Sequence, residues 1–459
     1  MNTNNLPGWL ALALGCMRFV FTWVSNNASI SLISLTSFLL LWGVFFLRIK
    51  LPVLIGLVLT VLGIILALCL YRSHINRVSL IVLLNLFYWL LIGVTVGGIH
   101  PADLLNLGFF DGDGKIFVAY LPLLFFTLMP VNMRYVHSAL KSAMVIGGYA
   151  IGLFVIWWFY HPKFLSGGTA DDFVGFHAMH NTAGLFFGVL ATLFLIIGLE
   201  TRRWALVFLA GGLVFVVFGT ASRQALVAFA VALLWYLVRN WRIRSLITGA
   251  LIILITLVSL PIVAPQTFQR TKDVFTEEVV SSAILTAQRR QWMPGRERLY
   301  VGENHNLMVR MLYWTYAGRL FIDSPIFGIG FGRFNDMNTG FIGHRGLVYF
   351  ATKGDRVISD LSAHNSYLHL LAELGVTGLT LLLLVWLMIF RSLGIARKRL
   401  VGAGLTHAYL FACQGLIVFV LVGALFDHGL GAPSLIIPVG IFVGSAYGLV
   451  RKARMLSEE

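Results

Sequence analysis

Apolar runs of about twenty residues recur from one end of the chain to the other, divided by short polar or basic intervals. A run of that length, coiled as a helix, crosses a ~30 Å hydrocarbon core. The runs fall near 8–24, 30–47, 52–71, 78–98, 115–131, 140–160, 181–199, 204–218, 224–238 and 245–263, and, after a long polar interval, near 366–390, 406–426 and 434–450. They are continuous, rich in Leu, Val, Ile, Phe and Gly, and do not alternate with a period of two. Inside lipid every backbone N–H and C=O needs an internal partner, which leaves helices or closed barrels. Without alternation a barrel is excluded. The pattern predicts an all-α, polytopic transmembrane helical bundle.

Basic clusters between the runs set its orientation. The segments 132–141, 199–204, 239–244, 391–399 and the tail after Arg451 are assigned to the cytoplasmic side. By alternation, 99–114, 161–180, 219–222 and 264–365 lie on the opposite face; the first two carry Asp103, Asp111, Asp113, Asp171 and Asp172. The N-terminal end admits two solutions, because 48–50 and 72–77 are both basic with one run between them. Twelve spans, with a first segment that does not fully cross, is the preferred one, since Arg18 is costly in mid-membrane. No A-x-A-like cleavage site follows that segment, which is read as retained.

Three regions follow: an N-terminal transmembrane bundle (1–263), a large loop (264–365), and C-terminal transmembrane helices with a tail (366–459). The loop is too long for a structureless connector. It holds a mixed charged stretch (270–298) suited to a helix lying on the bilayer, an aromatic-rich stretch (307–322) and the Gly-rich turn GIGFGRF. It re-enters the membrane through DLSAHNSYLHLLAELG. An excursion of this size suggests a half-domain that builds a site at the membrane surface.

Composition agrees. Hydrophobic residues make up 58% and charged ones only 12%, about half the charge a soluble domain uses to cover its surface. The net charge of +15 would ordinarily invite a nucleic-acid reading. Here the basic residues sit in inter-span clusters (Arg48 with Lys50, Arg202 with Arg203, Arg239 to Arg244, Arg391 to Arg399), so topology and anionic lipid headgroups account for them. Cys16, Cys69 and Cys413 all fall in apolar stretches and form neither a disulfide framework nor a zinc spacing.

Four places could carry chemistry. His364, followed by Asn365 and Ser366, stands where the loop re-enters the membrane. A histidine there serves either as a general base, its ordinary pKa near 6.5 suiting the task, or as an interfacial cap; the residue pattern alone leaves both open. Arg223 ends the non-cytoplasmic turn GTASR and opens the next run. Its side runs against the positive-inside trend, and its forked guanidinium matches phosphate oxygens, which favours an anion site over an arginine that merely snorkels to the interface. Arg310, with Arg319 and Arg289-Arg290 nearby in sequence, calls for an anionic partner on the outer face, although a solvated surface accounts equally well for any single one of these. His177 and His180 stand at i, i+3, as metal ligands could. The only carboxylates near them are Asp171 and Asp172 in a Gly-rich stretch, so a polar lining role for His180 and Asn181 is the better reading. Walker, H-E-x-x-H, G-x-S-x-G and Rossmann signatures are missing. An energy-rich substrate must bring its own leaving group.

The segments RMLYWTYAGRLFIDSPIFGIGFGRFN (Arg310 to Asn335) and AHNSYLHLLAELGVTGL (Ala363 to Leu379) resemble the O-antigen ligase and polymerase superfamily. In that family an arginine precedes a Trp by a few residues, a Gly-rich turn follows, and a His-Asn-Ser re-entry helix ends in G-x-x-G. Here these are Arg310 with Trp314, SPIFGIGFG, His364-Asn365-Ser366, and Gly375 with Gly378. SRQAL (Ser222 to Leu226) is similar to another family element. The resemblance implies a GT-C-like fold with a long helical periplasmic loop. It also implies a metal-independent, inverting glycosyl transfer, without cofactor, at the periplasmic face of a bacterial inner membrane. The donor would be a glycan on undecaprenyl pyrophosphate, and the acceptor lipid A–core. Arg223 and Arg310 would hold the pyrophosphate, with Arg319, Asn365, Ser366, His180 and Asn181 lining the site. His364 would take the acceptor's proton. Polymerisation onto a second lipid-linked glycan and transfer to protein share donor and mechanism; a flippase is the rival without chemistry. The insert 336–361, with Lys353, Asp355, Arg356 and Asp360, has no counterpart in the family pattern and is a candidate for shaping the acceptor site.

Overall fold

The computed structural model describes residues 32–46, 50–70, 75–99, 114–167, 172–177, 179–240, 305–334, 352–353, 356–357, 362–400 and 404–458. The described chain is almost wholly helical: α1 (Leu32–Phe45), α2 (Lys50–Leu70), α3 (Arg77–Thr95), α4 (Lys115–Leu128), α5 (Met133–Tyr160), α6 (His180–Thr201), α7 (Trp204–Gly219), α8 (Arg223–Arg239), α9 (His305–Asp323), α10 (Ser366–Arg399), α11 (Leu405–Gly423) and α12 (Pro433–Glu458). Seven of these are long and apolar enough to cross a membrane, and α1, α4 and α7 are shorter apolar helices. The chain is an all-α, multi-pass membrane protein. Eleven of the thirteen apolar runs coincide with a described helix. The runs at 8–24 and 245–263 lie outside the described residues, as do the charged stretch 270–298 and Arg289-Arg290.

Among the described residues, sheet is confined to two-residue pairings. One is the hairpin β1 (Ser166–Gly167) with β2 (Asp172–Phe173) after α5. The other, β3 (Thr352–Lys353) with β4 (Arg356–Val357), falls in the insert 336–361.

Burial sorts the helices. Of the span windows of α6 and α12, 89% is buried, against 28% for α2, so α6 and α12 are central and α2 is peripheral. Lipid tails are as apolar as leucine, so close packing, not water exclusion, joins helices in a membrane. Small residues permit it. Gly440, Gly444 and Gly448 form a stripe on α12 against α4, where added Cβ atoms would meet Leu123 N at 3.0 Å, Phe126 Cβ at 2.7 Å and Met129 O at 2.6 Å. Gly184 of α6 likewise lies against Ser222 and Thr220. The outward faces keep large apolar side chains exposed, such as Phe208, Phe87, Val238 and Leu387.

The helix α10 carries the feature that organises the loop side. It is broken at Gly375, whose φ of 64° and ψ of −170° are outside the helical region. A break there strips the helical donors from the carbonyls of Ala372 and Glu373 and the acceptors from the N–H groups of Val376 and Thr377. The Gly-rich turn after α9 satisfies all four. Ile329 N donates to Ala372 O (2.9 Å) and Gly330 N to Glu373 O (3.0 Å), while Val376 N donates to Pro325 O (2.9 Å) and Thr377 N to Ile326 O (3.3 Å). Contact is so close that a Cβ on Gly328 would stand 2.3 Å from the Glu373 carbonyl, and one on Gly375 would stand 2.3 Å from Ile326 O. The turn is spliced into the helix. Tyr88 of α3 takes a further freed carbonyl, donating its hydroxyl to Leu374 O (3.1 Å).

Through this splice α9 packs along the first turns of α10. Tyr313, Tyr316, Ala317, Phe334, Ala363 and Ala372 form a small core apart from the main one. Trp314 donates its indole N–H to Ala363 O (2.9 Å). The aromatic-rich stretch of the loop is therefore a helix fastened to the re-entry segment at its middle, through Trp314, and by the turn that follows it.

Candidate active site

His364 stands one residue before the N-cap of α10, with a φ of +48° that a non-glycine residue adopts only at a cost of about 1 kcal/mol. Neighbours hold it there. Asn365 caps the helix, its side-chain oxygen accepting from Tyr367 N (3.0 Å) and Leu368 N (3.1 Å). Its amide donates to Leu425 O (3.1 Å). Ser366 donates its hydroxyl to Asp427 O (3.0 Å) and accepts from Leu430 N (3.0 Å). Asn365 and Ser366 thus bind the start of α10 to the turn between α11 and α12.

That turn supplies the partner. His364 Nδ1 lies 3.1 Å from Asp427 Oδ1. The same oxygen accepts from His428 N (2.8 Å), and Asn181 donates its amide to Oδ2 (3.2 Å). Burial alone would raise the Asp427 carboxyl. The His364 hydrogen bond and charge, the His428 N–H and the Arg310 guanidinium outweigh it and bring the group from 3.8 to about 2. Asp427 is therefore an anion at any working pH. An anion accepts, so whenever the His364 ring carries a single proton that proton sits on Nδ1, and Nε2 keeps its lone pair. The His364 side chain is 37% exposed against 19% for Asp427, the order expected when one group meets substrate and the other orients it.

Arg310 comes to this pair from α9. Burial lowers its guanidinium, and the Asp427 charge offsets part of that. One turn on, the Tyr313 ring lies face to face with His364, centroids 6.1 Å apart and 27° between planes. Burial of Tyr313 pushes its phenol up to about 12, so it stays neutral. Arg319 is nine residues along, about 13 Å further down the helix axis, and half-buried.

Arg223 is the first residue of α8, where the unbonded N–H groups and the helix dipole add to its own charge in favouring an anion. Ala221, two residues before it, is also left-handed, at φ +53°. Gly184 packs on Ser222, so the SRQ turn stands beside the first turns of α6, from which Asn181 reaches Asp427. His180 opens the same helix. His177 has gone elsewhere: it is fully buried against the rings of Phe186 and Phe187 at 5.2 and 5.6 Å. Among the described residues no group of three His, Cys, Asp or Glu side chains could hold a metal ion.

The structure thus joins His364, Asn365, Ser366, Asn181 and Arg310 around Asp427, a residue the sequence reading missed. A signal existed. The alternation that put His364 on the non-cytoplasmic face puts the turn between 406–426 and 434–450 there too, and Asp427 and His428 open that turn.

The fold and this site define a multi-pass membrane protein with a histidine–aspartate pair and a half-buried arginine at one end of its bundle. Residues 205–383 match the family model described as O-antigen ligase, which supports the O-antigen ligase superfamily. The match takes in Arg223, Arg310, Arg319 and His364 to Ser366; Asn181 and Asp427 lie outside it. The family implies a glycosyltransferase-type enzyme acting on lipid-linked glycan. No curated protein matches the chain.

Proposed function

We propose that this chain transfers a glycan from undecaprenyl pyrophosphate to an acceptor hydroxyl at the periplasmic face of a bacterial inner membrane, and that the acceptor is lipid A–core. The observation that carries the reading is the His364–Asp427 pair beside Arg310, inside a chain whose residues 205–383 match O-antigen ligase. Asp427 holds the Nδ1 proton, so His364 Nε2 accepts the acceptor's O–H proton. The freed oxygen pair attacks the anomeric carbon, whose bond to the pyrophosphate oxygen breaks with inversion. Those electrons leave on the lipid pyrophosphate, and Arg310 and Arg223 neutralise the charge as it grows. Asp427 meanwhile stabilises the imidazolium, as the carboxylate of a catalytic triad does.

Cationic side chains do here what a metal would otherwise do, and the leaving group comes with the donor, so neither metal nor nucleotide enters. In this reading Asn181 and His180 line the acceptor side of the pair, while Asn365 and the buried Ser366 hold the re-entry turn in place; Arg319 stands further from it. Purified protein in nanodiscs, given the undecaprenyl-pyrophosphate glycan with lipid A–core or with a second donor molecule, tests it. Glycan on lipid A–core makes the chain a ligase, and lengthened lipid-linked glycan makes it a polymerase with the same chemistry. Product with neither, from folded protein, moves the reading to a protein acceptor or to transport without chemistry.

A further inference from the structure

Glu373 is 2% exposed, two residues before the break in α10. A buried carboxylate is costly unless hydrogen bonds satisfy it, and a leucine would fill the space more cheaply. Its oxygens are used. Oε1 accepts from Phe334 N at 2.9 Å, and Oε2 lies 3.5 Å from His369 Nε2. Its backbone carbonyl receives Gly330 N. One residue therefore binds both the middle and the end of the Gly-rich turn.

This turn is the C-terminal anchor of α9, the helix that carries Arg310. The other anchor is the Trp314 N–H to Ala363 O bond, beside His364. Without the Glu373 carboxylate the turn keeps its four backbone bonds to α10 but loses the one that holds its end at Phe334. The helix α9, still packed through Tyr313, Tyr316 and Ala317, can then shift its direction, and Arg310 moves with it. Phe334 also packs on Tyr316 (5.2 Å) and His369 (4.7 Å), so its loss of register reaches α9 directly.

We propose that Glu373 is a positioning residue: by accepting the Phe334 N–H it locks the Gly-rich turn into the break of α10 and so fixes where Arg310 stands relative to His364. The inference rests on the transfer chemistry above, but its geometric half can be read without any donor. Spin labels go on Gly318→Cys, where a side chain meets open space, and on exposed Leu387→Cys, with Cys16, Cys69 and Cys413 replaced. Glu373→Gln keeps the acceptor oxygen; Glu373→Leu removes it. The expected distance distribution is narrow for the parent and Glu373→Gln, and broadened or shifted for Glu373→Leu. Per folded protein, Glu373→Leu should lose tenfold or more in kcat/KM with a raised donor KM, and Glu373→Gln should restore it to within threefold.

An unchanged distribution in Glu373→Leu overturns the proposal whatever the transfer assay reads. So does a changed distribution with unchanged kcat/KM, which would make Glu373 a stabilising residue only, and so does equal damage from Gln. Should Glu373→Leu not fold, Ser324→Ala replaces it. That change removes the hydroxyl bond to Gly328 O (2.7 Å) from the same turn and should give partial broadening; none would overturn the proposal. If the parent transfers to no acceptor, the functional reading fails while the distances still decide whether Glu373 holds α9.

Discussion

The Nδ1 of His364 lies 3.1 Å from Oδ1 of Asp427, across 63 residues of chain. The two come from different elements, the entry to α10 and the turn after α11, which Asn365 and Ser366 tie together. A left-handed histidine is expensive, and here the surroundings hold it in place with its second ring nitrogen left to act.

Asp427→Asn tests the pair. An amide of the same shape loses the charge that fixes the tautomer and stabilises the imidazolium. kcat should fall by about a hundredfold or more, with donor KM little changed, in steady-state transfer assays on folded protein.

The sign of the Asp427 shift gives a stability prediction. Its folded value, about 2, is below the ordinary 3.8. The group's contribution is thus fully present above about 3.8 and is lost as pH falls through about 2. Melting curves of the parent and Asp427→Asn should differ at pH 5 to 7 and converge as pH drops through that window.

Arg310→Lys and Arg223→Lys should each raise donor KM and lower kcat/KM by about tenfold or more, because an ammonium cannot reproduce the two-pronged grip on a pyrophosphate. Full activity of the Lys variants would reduce these residues to point charges. A chelator should leave transfer unchanged, and a loss restored by added divalent ion would contradict the metal-free step.

Gly328→Ala and Gly375→Ala should destabilise the loop side by about 2 kcal/mol or more. Each is left-handed, and each would place a Cβ 2.3 Å from backbone of the other strand of the splice. Thermal unfolding in detergent measures this.

The bundle was legible because membrane spans obey a length rule that needs no tertiary information. The run at 366–390 continues as helix to Arg399, since helix does not stop where lipid does. The site was legible in part. His364, Arg310 and Arg223 stand out because ionisable groups on that face need a reason. Asp427 was not seen, because a carboxylate in a short turn between two spans looks like any solvated turn. Only the fold brings it to His364. Glu373 lay in plain view in LLAELG, and the G-x-x-G at Gly375 marked an end to the re-entry helix, but nothing local says that the break receives a turn from forty residues upstream. Long-range hydrogen bonds of that kind leave no periodic trace.

The most direct measurement is transfer of glycan from undecaprenyl pyrophosphate to lipid A–core by purified protein, run beside His364→Ala of equal folding and read by gel and mass spectrometry. The expected result is glycosylated lipid A–core from the parent and none from His364→Ala. Product at the parent's rate from His364→Ala would remove His364 as the base, and no product from the folded parent would contradict the ligase reading itself.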